Sequence, residues 1–332
     1  MGTTPSLLSH RKHSDSGTAT VEVDTGVRDD APINPYLYGK FSEHLAWNIY
    51  HGMEAQILYN PTFGQWPFQG DTTPDGGFYW IGDDETIAAQ IAEHAAQREY
   101  PEGAAERLKA AHDDALSFWW IRYGADDASE HDSGDSRVAS ATREGVGLSA
   151  DVGPTGDRAQ RIEIGEVDGR AGVLQWHYLP LQRTNGYELT ATLKARRGST
   201  ATATLALHAV DDTGSPTDEL AATEVALDGE WTTVETALEI PADADLDPDD
   251  LVAFTITATE PCNLVVDRVL LYPDDHINRA DPDVIEYLRE SDLPLLRWPG
   301  GNFVSDYDWR DGVGPVEERP TKPNPAWGGL EY

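Results

Sequence analysis

Cysteine is nearly missing from this 332-residue chain, with Cys262 standing alone. A single thiol excludes an internal disulfide framework and a cysteine-based zinc site, and it leaves Cys262 as a small hydrophobe for the interior. Basic residues are scarce as well. Lysine and arginine together number 24 against 59 aspartates and glutamates, lysine is rare beside arginine, and the formal net charge is −35. Such a charge repels nucleic acid and anionic membranes, so neither is expected as a partner. No apolar run reaches the length of a membrane span. Met1 to Gly17 is polar, without the sustained apolar core of a signal peptide, which makes a cytoplasmic location the default and an extracellular one the alternative if the true N-terminus differs.

Acidity of this degree can mean disorder, but 39% hydrophobic residues and ten tryptophans argue for a folded core. The acids are dispersed rather than gathered in a tail, and runs such as Asp211-Asp212 and Asp249-Asp250 lack the ligand spacing of a calcium loop. Adaptation to high salt, where charge repulsion is screened, accounts for this better than an acidic tail or calcium-binding loops. His44 has no second histidine at metal-ligand spacing, so a hydrogen-bonding role suits it better than metal ligation. No metal or cofactor is expected.

Hydrophobic period divides the chain. A short strand is expected from Ala19 to Val27, on the alternation Thr20 to Asp24, and a second in the run Tyr36 to Phe41, which delivers Ser42, Glu43 and His44 at its C-terminal end. The aromatic and glycine-rich stretch that follows, with Trp47, Tyr50, Phe63, Trp66 and Phe68, has no clean period and reads equally as a cleft wall or as a long loop packed on the body. From Asp84 to Leu116 the period becomes helical, with Ile87, Ile91 and Ala95, then, past Pro101, Ala105, Leu108 and Ala111. These helices either cover a sheet face or form an insertion.

Between about Leu116 and Tyr272 the period falls to two. Leu189, Ala191 and Leu193 alternate with polar residues, as do Leu205, Leu207 and Ala209, and further runs surround Val234 to Ile240, Phe254 to Ala258 and Leu264 to Leu271. Turn signals such as Asn185-Gly186 and Asp228-Gly229 separate them, which indicates an independent antiparallel β-sandwich. After Pro273, an amphipathic helix over Asp283 to Glu290 leads into a strand at Leu295 to Trp298. The sandwich is thus inserted between the first two strands of an α/β fold.

Arg297 ends that second strand, and Pro299, Gly300, Gly301 and Asn302 follow. Paired glycines permit a backbone path close to a ligand, and arginine with asparagine supplies a donor fork and a donor-acceptor pair suited to sugar hydroxyls. The same residues also suit a tight turn packed by an arginine-carboxylate pair. Asp306, Asp308 and Asp311 are weak candidates for acid or base in so acidic a chain.

The run from Arg297 through Asp311, continued by Gly314-Pro315 and Arg319-Pro320, resembles the hallmark segment of the glycoside hydrolase family 51 α-L-arabinofuranosidases. Tyr38 to Leu45 and Ile49 to Gly52 resemble the family's first barrel strand and its loop, with departures at Lys40 and at His51, where glycine is common. The resemblance implies an incomplete (β/α)8 TIM-barrel N-terminal portion with an inserted jelly-roll-like, carbohydrate-binding-like sandwich. The expected division is a flexible tail over 1–18, the first barrel strand and its loops over 19–83, helices over 84–115, the sandwich over 116–273, and the resumed barrel over 274–332. It also implies that Glu43 and Asn302 contact an arabinofuranose and that Arg297 orients the nucleophile's surroundings. In the family, hydrolysis proceeds with retention through two carboxylates roughly 5 to 5.5 Å apart. Neither has a match before Tyr332, and Glu331 is no substitute, so both are expected from polypeptide beyond this sequence. The implied partner is an arabinofuranosyl-containing oligo- or polysaccharide, with a homo-oligomer formed through that further polypeptide as an additional expectation. Two alternatives remain open: a glycan-binding sandwich using Trp176, Tyr178 or Trp231, and a purely structural sandwich. A related family 51 specificity is a further variant of the enzyme reading.

Overall fold

Alternating apolar and polar residues build most of this molecule. The computed structural model describes residues 26, 31–45, 47–68, 83–115, 117–124, 145–324 and 326–332; the strand expected at 19–27, Gly26 apart, and the tail before it lie outside them. The order of elements begins with β1 (Lys40–Phe41), α1 (Asp84–Gln97), α2 (Ala104–Ala115) and β2 (Ile121–Tyr123). It continues through β3 (Val146–Val152), β4 (Arg158–Ile164), β5 (Ala171–Tyr178), β6 (Gly186–Ala195), β7 (Ala201–Val210) and β8 (Pro216–Leu227). Next come β9 (Thr232–Glu239), β10 (Leu251–Ala258), β11 (Cys262–Pro273), α3 (Pro282–Glu290), β12 (Leu296–Arg297), β13 (Lys322–Pro323) and β14 (Leu330–Glu331).

Two antiparallel five-stranded sheets, ordered β2-β5-β10-β7-β8 and β3-β4-β11-β6-β9, stack into the expected sandwich. Leu189, Ala191 and Leu193 of β6 turn inward to meet Leu205 and Leu207 of β7 and Phe254 of β10 in one buried core. The outer face of the first sheet is covered too. Ile87, Ile91, Leu108 and Ala111 of the two helices pack with Phe118 and Trp119 against Leu174 and Trp176 of β5. Asp83 caps α1 by accepting from the Thr86 amide at 2.8 Å. The stretch 84–115 is therefore a layer of the sandwich, which decides between the two alternatives for it. Trp176 is 1% exposed and donates its indole N–H to Gly214 O at 2.8 Å, so it is core rather than a sugar platform. Trp231 lies beneath the Lys194 ammonium at 4.4 Å, whereas Tyr178 is exposed.

The loop after β1 enters the sandwich as well. Leu58 and Phe63 are fully buried in the main core. The Ile57 amide donates to Leu271 O at 3.0 Å, and Pro61 O accepts from the Val269 amide at 2.8 Å, both on β11 of one sheet. On the other sheet, the Gln175 side chain of β5 takes the Tyr59 amide at 2.7 Å and donates to Tyr59 O at 2.9 Å. Residues 56–61 thus lace the two sheets together through these hydrogen bonds.

Outside the sandwich, β1 pairs with β12 in parallel, Lys40 opposite Leu296 and Phe41 opposite Arg297. Both strands are shorter than their sequence runs. Pro35–Tyr38 coils into a 3-10 turn whose first amide, from Tyr36, is capped by the Asn34 side chain at 3.0 Å, because proline and asparagine favour that start over an extended path. Asp281 caps α3 through the Asp283 and Val284 amides. No residue of α3 is fully buried, and Tyr36, Leu37, Tyr38, Phe41, Tyr287 and Leu295 stay exposed. Among the described residues there are three α-helices and one parallel pair of strands, far short of the eight strand-helix units of a closed barrel. The observed fold is mostly β. Among the described residues no helix is long and apolar enough to cross a membrane.

Candidate functional site

Glu43 stands two residues past β1 and is 7% exposed. One of its carboxylate oxygens accepts from the Gly301 amide and the Phe303 amide, each at 2.9 Å. The Phe303 amide, above all, holds the carboxyl below its ordinary pKa against the opposing effect of burial; the Gly301 amide, the Trp327 indole and the Asn302 amide act in the same direction. Gly300 makes this approach possible. Its φ is +147°, and a Cβ there would lie 2.5 Å from Glu43 Cγ. Gly301 is different, since a Cβ would meet nothing closer than 3.6 Å.

Glu43, Arg297 and the glycine turn are therefore brought together at the C-terminal ends of β1 and β12. Arg297 lies over the Phe41 ring at 4.3 Å and donates to Gly300 O at 3.3 Å, while its guanidinium stays exposed. The arginine-carboxylate turn is not what forms, because backbone amides take the carboxylate and leave Arg297 to the ring. The Asn302 side chain is exposed, and its backbone serves Glu43. Asp308 is exposed and caps a 3-10 turn by accepting from the Arg310 amide at 3.1 Å, in keeping with its weak standing as an acid or base.

Beside Glu43, His44 opens a second network. Its Nδ1 lies 2.6 Å from Glu331 Oε2, its ring stacks on Phe303 with centroids 4.4 Å apart, and Trp298 meets it edge-on at 5.0 Å. Glu331 also accepts from the Tyr50 hydroxyl at 3.0 Å and from Asn324 Nδ2 at 2.6 Å. Burial, then the charges of Glu331 and Glu54, push the Tyr50 hydroxyl well above its ordinary pKa, so it stays a donor. With these three partners, Glu331 is a buried anchor. Antiparallel β13 and β14 carry Asn324 and Glu331 into place, and Asn324 Oδ1 accepts from the Ala326 and Trp327 amides at the turn between them.

A cavity of about 230 Å³ opens on this network, lined by His44, Trp47, Tyr50, Trp66, Trp327 and Glu331. A second hollow, of about 200 Å³, is also lined by His44, Tyr50, Glu331 and Tyr332 and touches Trp298, Tyr307 and Arg319. Glu43, Arg297 and Asn302 line neither of these two. Sequence reasoning passed over Asn324 and Tyr332. Only the turn-forming Pro323-Asn324-Pro325 run marked the first, and nothing marked the second.

No family model matches the chain. A stretch of 49 residues, 15% of this chain and 10% of the relative, is 57% identical to an intracellular exo-α-(1→5)-L-arabinofuranosidase of Acetivibrio thermocellus. Over 56 residues it is 52% identical to the protein of the same name from Halalkalibacterium halodurans, covering 17% of this chain and 11% of that one. Over 49 residues it is 55% identical to the probable α-L-arabinofuranosidase C of Aspergillus niger, 15% and 10% of the two chains. Among solved structures, the arabinose-bound MgGH51 α-L-arabinofuranosidase superposes with a TM-score of 0.55 at 15% identity, over 88% of this chain and 39% of that one. The resemblance read from the sequence is thus met in both comparisons, over a short stretch in one and in fold in the other. These relatives are glycoside hydrolases by name, and the chain spans about a tenth of the curated ones and 39% of the solved one.

Two expectations follow from the Glu43 anchor. Gly300→Ala should cost about 2 kcal/mol in denaturant unfolding, through overlap with Glu43 and a φ unfavourable to alanine, whereas Gly301→Ala should cost less than about 1 kcal/mol. Equal costs would show that close approach to Glu43 is not what the first glycine serves. The second concerns pH. Because folding lowers the Glu43 pKa, its stabilisation is complete above the unfolded value and is lost as pH falls through the folded one. Unfolding curves across roughly pH 3 to 6 should therefore be less pH-dependent for Glu43→Gln than for the native chain, and identical slopes would contradict the anchor.

Proposed function

We propose that this chain forms part of the active site of a retaining α-L-arabinofuranosidase that removes terminal non-reducing arabinofuranosyl residues from arabinan, arabinoxylan or their oligosaccharides. The observation that carries the reading is the meeting of Glu43 with the Gly300–Phe303 turn at the C-terminal ends of adjacent parallel strands, the end at which barrel enzymes place their sites. In this reading Glu43 and Asn302 hold the sugar, and Arg297 orients the groups around the reacting carbon.

The acid/base and nucleophile come, in this proposal, from further polypeptide carrying the remaining strand-helix units of the barrel. Retention needs two carboxylates free to act on one glycosidic bond. Glu43 is anchored by backbone amides through one oxygen, and Glu331 by Tyr50, Asn324 and His44, so in this reading both position groups rather than react. The exposed Tyr36, Leu37, Phe41 and Leu295 around β1 and β12 are the surface that such units would cover. A cytoplasmic location belongs to the same reading, in line with the word "intracellular" in the names of two bacterial relatives.

An assay on an aryl α-L-arabinofuranoside tests this. The 332-residue chain alone should give no turnover, and joining it to polypeptide that supplies the remaining units should restore it; clear turnover by the chain alone overturns the assignment of both catalytic carboxylates elsewhere. We further propose that the charge of −35 is an adaptation to high salt. Raising potassium chloride from roughly 0.1 to 1 M shortens the screening length from about 10 to about 3 Å, and thermal unfolding should move up by about 5 °C or more. A midpoint that stays put or falls would remove the salt reading.

A further inference from the structure

A third cavity, of about 500 Å³, lies where the 51–57 loop meets the end of β5 and the segment before β10. It has only His51 in common with the cavity beside Trp327. Three residues of its lining carry a nitrogen without a hydrogen bond among the described residues: Arg183 Nε, which is ion-paired with Asp275 at 3.2 Å, and Gln56 Nε2 and His177 Nε2, on side chains from residues 2% and 4% exposed. The Gln56 amide cannot simply turn over to relieve this. Its oxygen already accepts from the Leu58 amide at 3.1 Å and the Leu271 amide at 2.9 Å, which holds the amide in this orientation. The His177 ring is stacked on Tyr59 at 5.3 Å, and burial first, with the charges of His51 and Arg98 after it, holds its pKa well below the ordinary value, so the ring is neutral. Leaving two such groups unpaired in the interior is costly, and most native proteins avoid it.

The lining selects the kind of molecule that would pair them. An apolar ligand would leave both nitrogens unsatisfied. An anion would face Glu54, Asp249 and Asp281 on the same wall, where the one arginine, Arg183, is already paired with Asp275, Asp281 and Asp283, in a chain of net charge −35. A metal ion finds no ligand in an amide NH2, which only donates, and no group of three metal-binding side chains exists among the described residues. A hydroxyl both donates and accepts, so it suits the Gln56 amide and either tautomer of His177. The exposed Tyr178 ring, 42% accessible, and Gln182 line the opening. An aromatic face beside hydroxyl-pairing groups is a common arrangement for holding a sugar ring.

We propose that this cavity is a second carbohydrate site, which takes a neutral sugar on Gln56, His177 and Tyr178 and lies apart from the hydrolytic cleft. It does not rest on the proposed hydrolysis. Isothermal titration calorimetry of the full 332-residue chain carrying Trp327→Ala, which impairs the other cavity, isolates it. Arabinotriose, xylotriose and cellotriose are the neutral probes, and trigalacturonic acid is the anionic one. At least one neutral trisaccharide should bind saturably, with trigalacturonic acid weaker. Adding Tyr178→Ala, whose side chain is exposed enough for the fold to survive and whose circular dichroism verifies that it has, should weaken binding about tenfold. Absence of saturable binding by all three neutral probes would mean that ordered water alone satisfies the two nitrogens, and the proposal fails. It fails equally if Tyr178→Ala leaves the affinity unchanged. The arabinofuranoside assay on the joined polypeptide is read separately, so failure of one assignment is distinguishable from failure of the other.

Discussion

Parallel strands cannot be joined by a tight turn, and everything about this molecule's layout answers that constraint. After β1 the chain must travel and return in the same direction as β12. The usual crossover is a single helix; here it is a whole sandwich. Such a detour would leave the two strands loosely related if the sandwich hung on flexible linkers. The lacing of residues 56–61 prevents this, because the segment that leaves β1 is hydrogen-bonded to β11 and to Gln175 before it reaches α1. The entry loop and the body of the crossover are therefore one packed unit, and Glu43 meets the Gly301 amide across 258 residues of chain.

That meeting also explains the division of labour between the two acids near His44. Glu43 accepts backbone amides and fixes the path of the glycine turn, while Glu331 accepts side-chain donors and fixes the loop that bears Trp327. Each carboxylate is thereby held as an acceptor with its charge offset by donors rather than by a salt-bridged arginine. The result is a wall with a cavity, His44 lining both hollows and stacked on Phe303. In the proposed reading such a wall is preorganised before a sugar enters, which limits the ordering cost of association.

How much of this was legible depends on how many faces of an element are covered. Strands β6 and β9 were readable from alternation, because their positions alternate between more and less buried, while β7, β10 and β11 stood out as apolar runs although they are buried along most of their length. Strand β5 was not readable. Its sequence Ala171 to Tyr178 is buried almost throughout, with Val173 on the main core and Leu174 and Trp176 beneath the helices, and a strand covered on both sides loses its period of two. Strand β8 escaped for the opposite reason: at the sheet edge its Asp218, Glu219 and Glu224 blur the pattern, as edge strands commonly do. Helices α1 and α2 were plain because Ile87, Ile91, Leu108 and Ala111 face a single partner. At the site, Glu43 and the glycine turn stood out as residue types, but their contact is long-range, and no local pattern announces that a backbone amide rather than Arg297 takes the carboxylate. The Asn324–Glu331–Tyr50 network was illegible for the same reason.

The few cations of this acidic chain are used in a way that bears on its charge. Arg158 of β4 reaches Phe63 O and Ala115 O, joining the laced loop and α2 to the second sheet; Arg268 of β11 reaches Val316 O and, at 2.8 Å, Arg319 O, joining that sheet to the segment beyond the glycine turn. Burial pulls the Arg158 pKa down to about 10, which still leaves it protonated at neutral pH. Arginine suits this task better than lysine, since its planar fork serves two carbonyls at once and is more weakly hydrated. Contacts of this kind are shielded from solvent, so salt screens them little, whereas repulsion among dispersed surface carboxylates is screened strongly. Salt would therefore screen the repulsion among surface carboxylates while leaving these two arginine contacts in place, which is the balance that the proposed salt adaptation draws on.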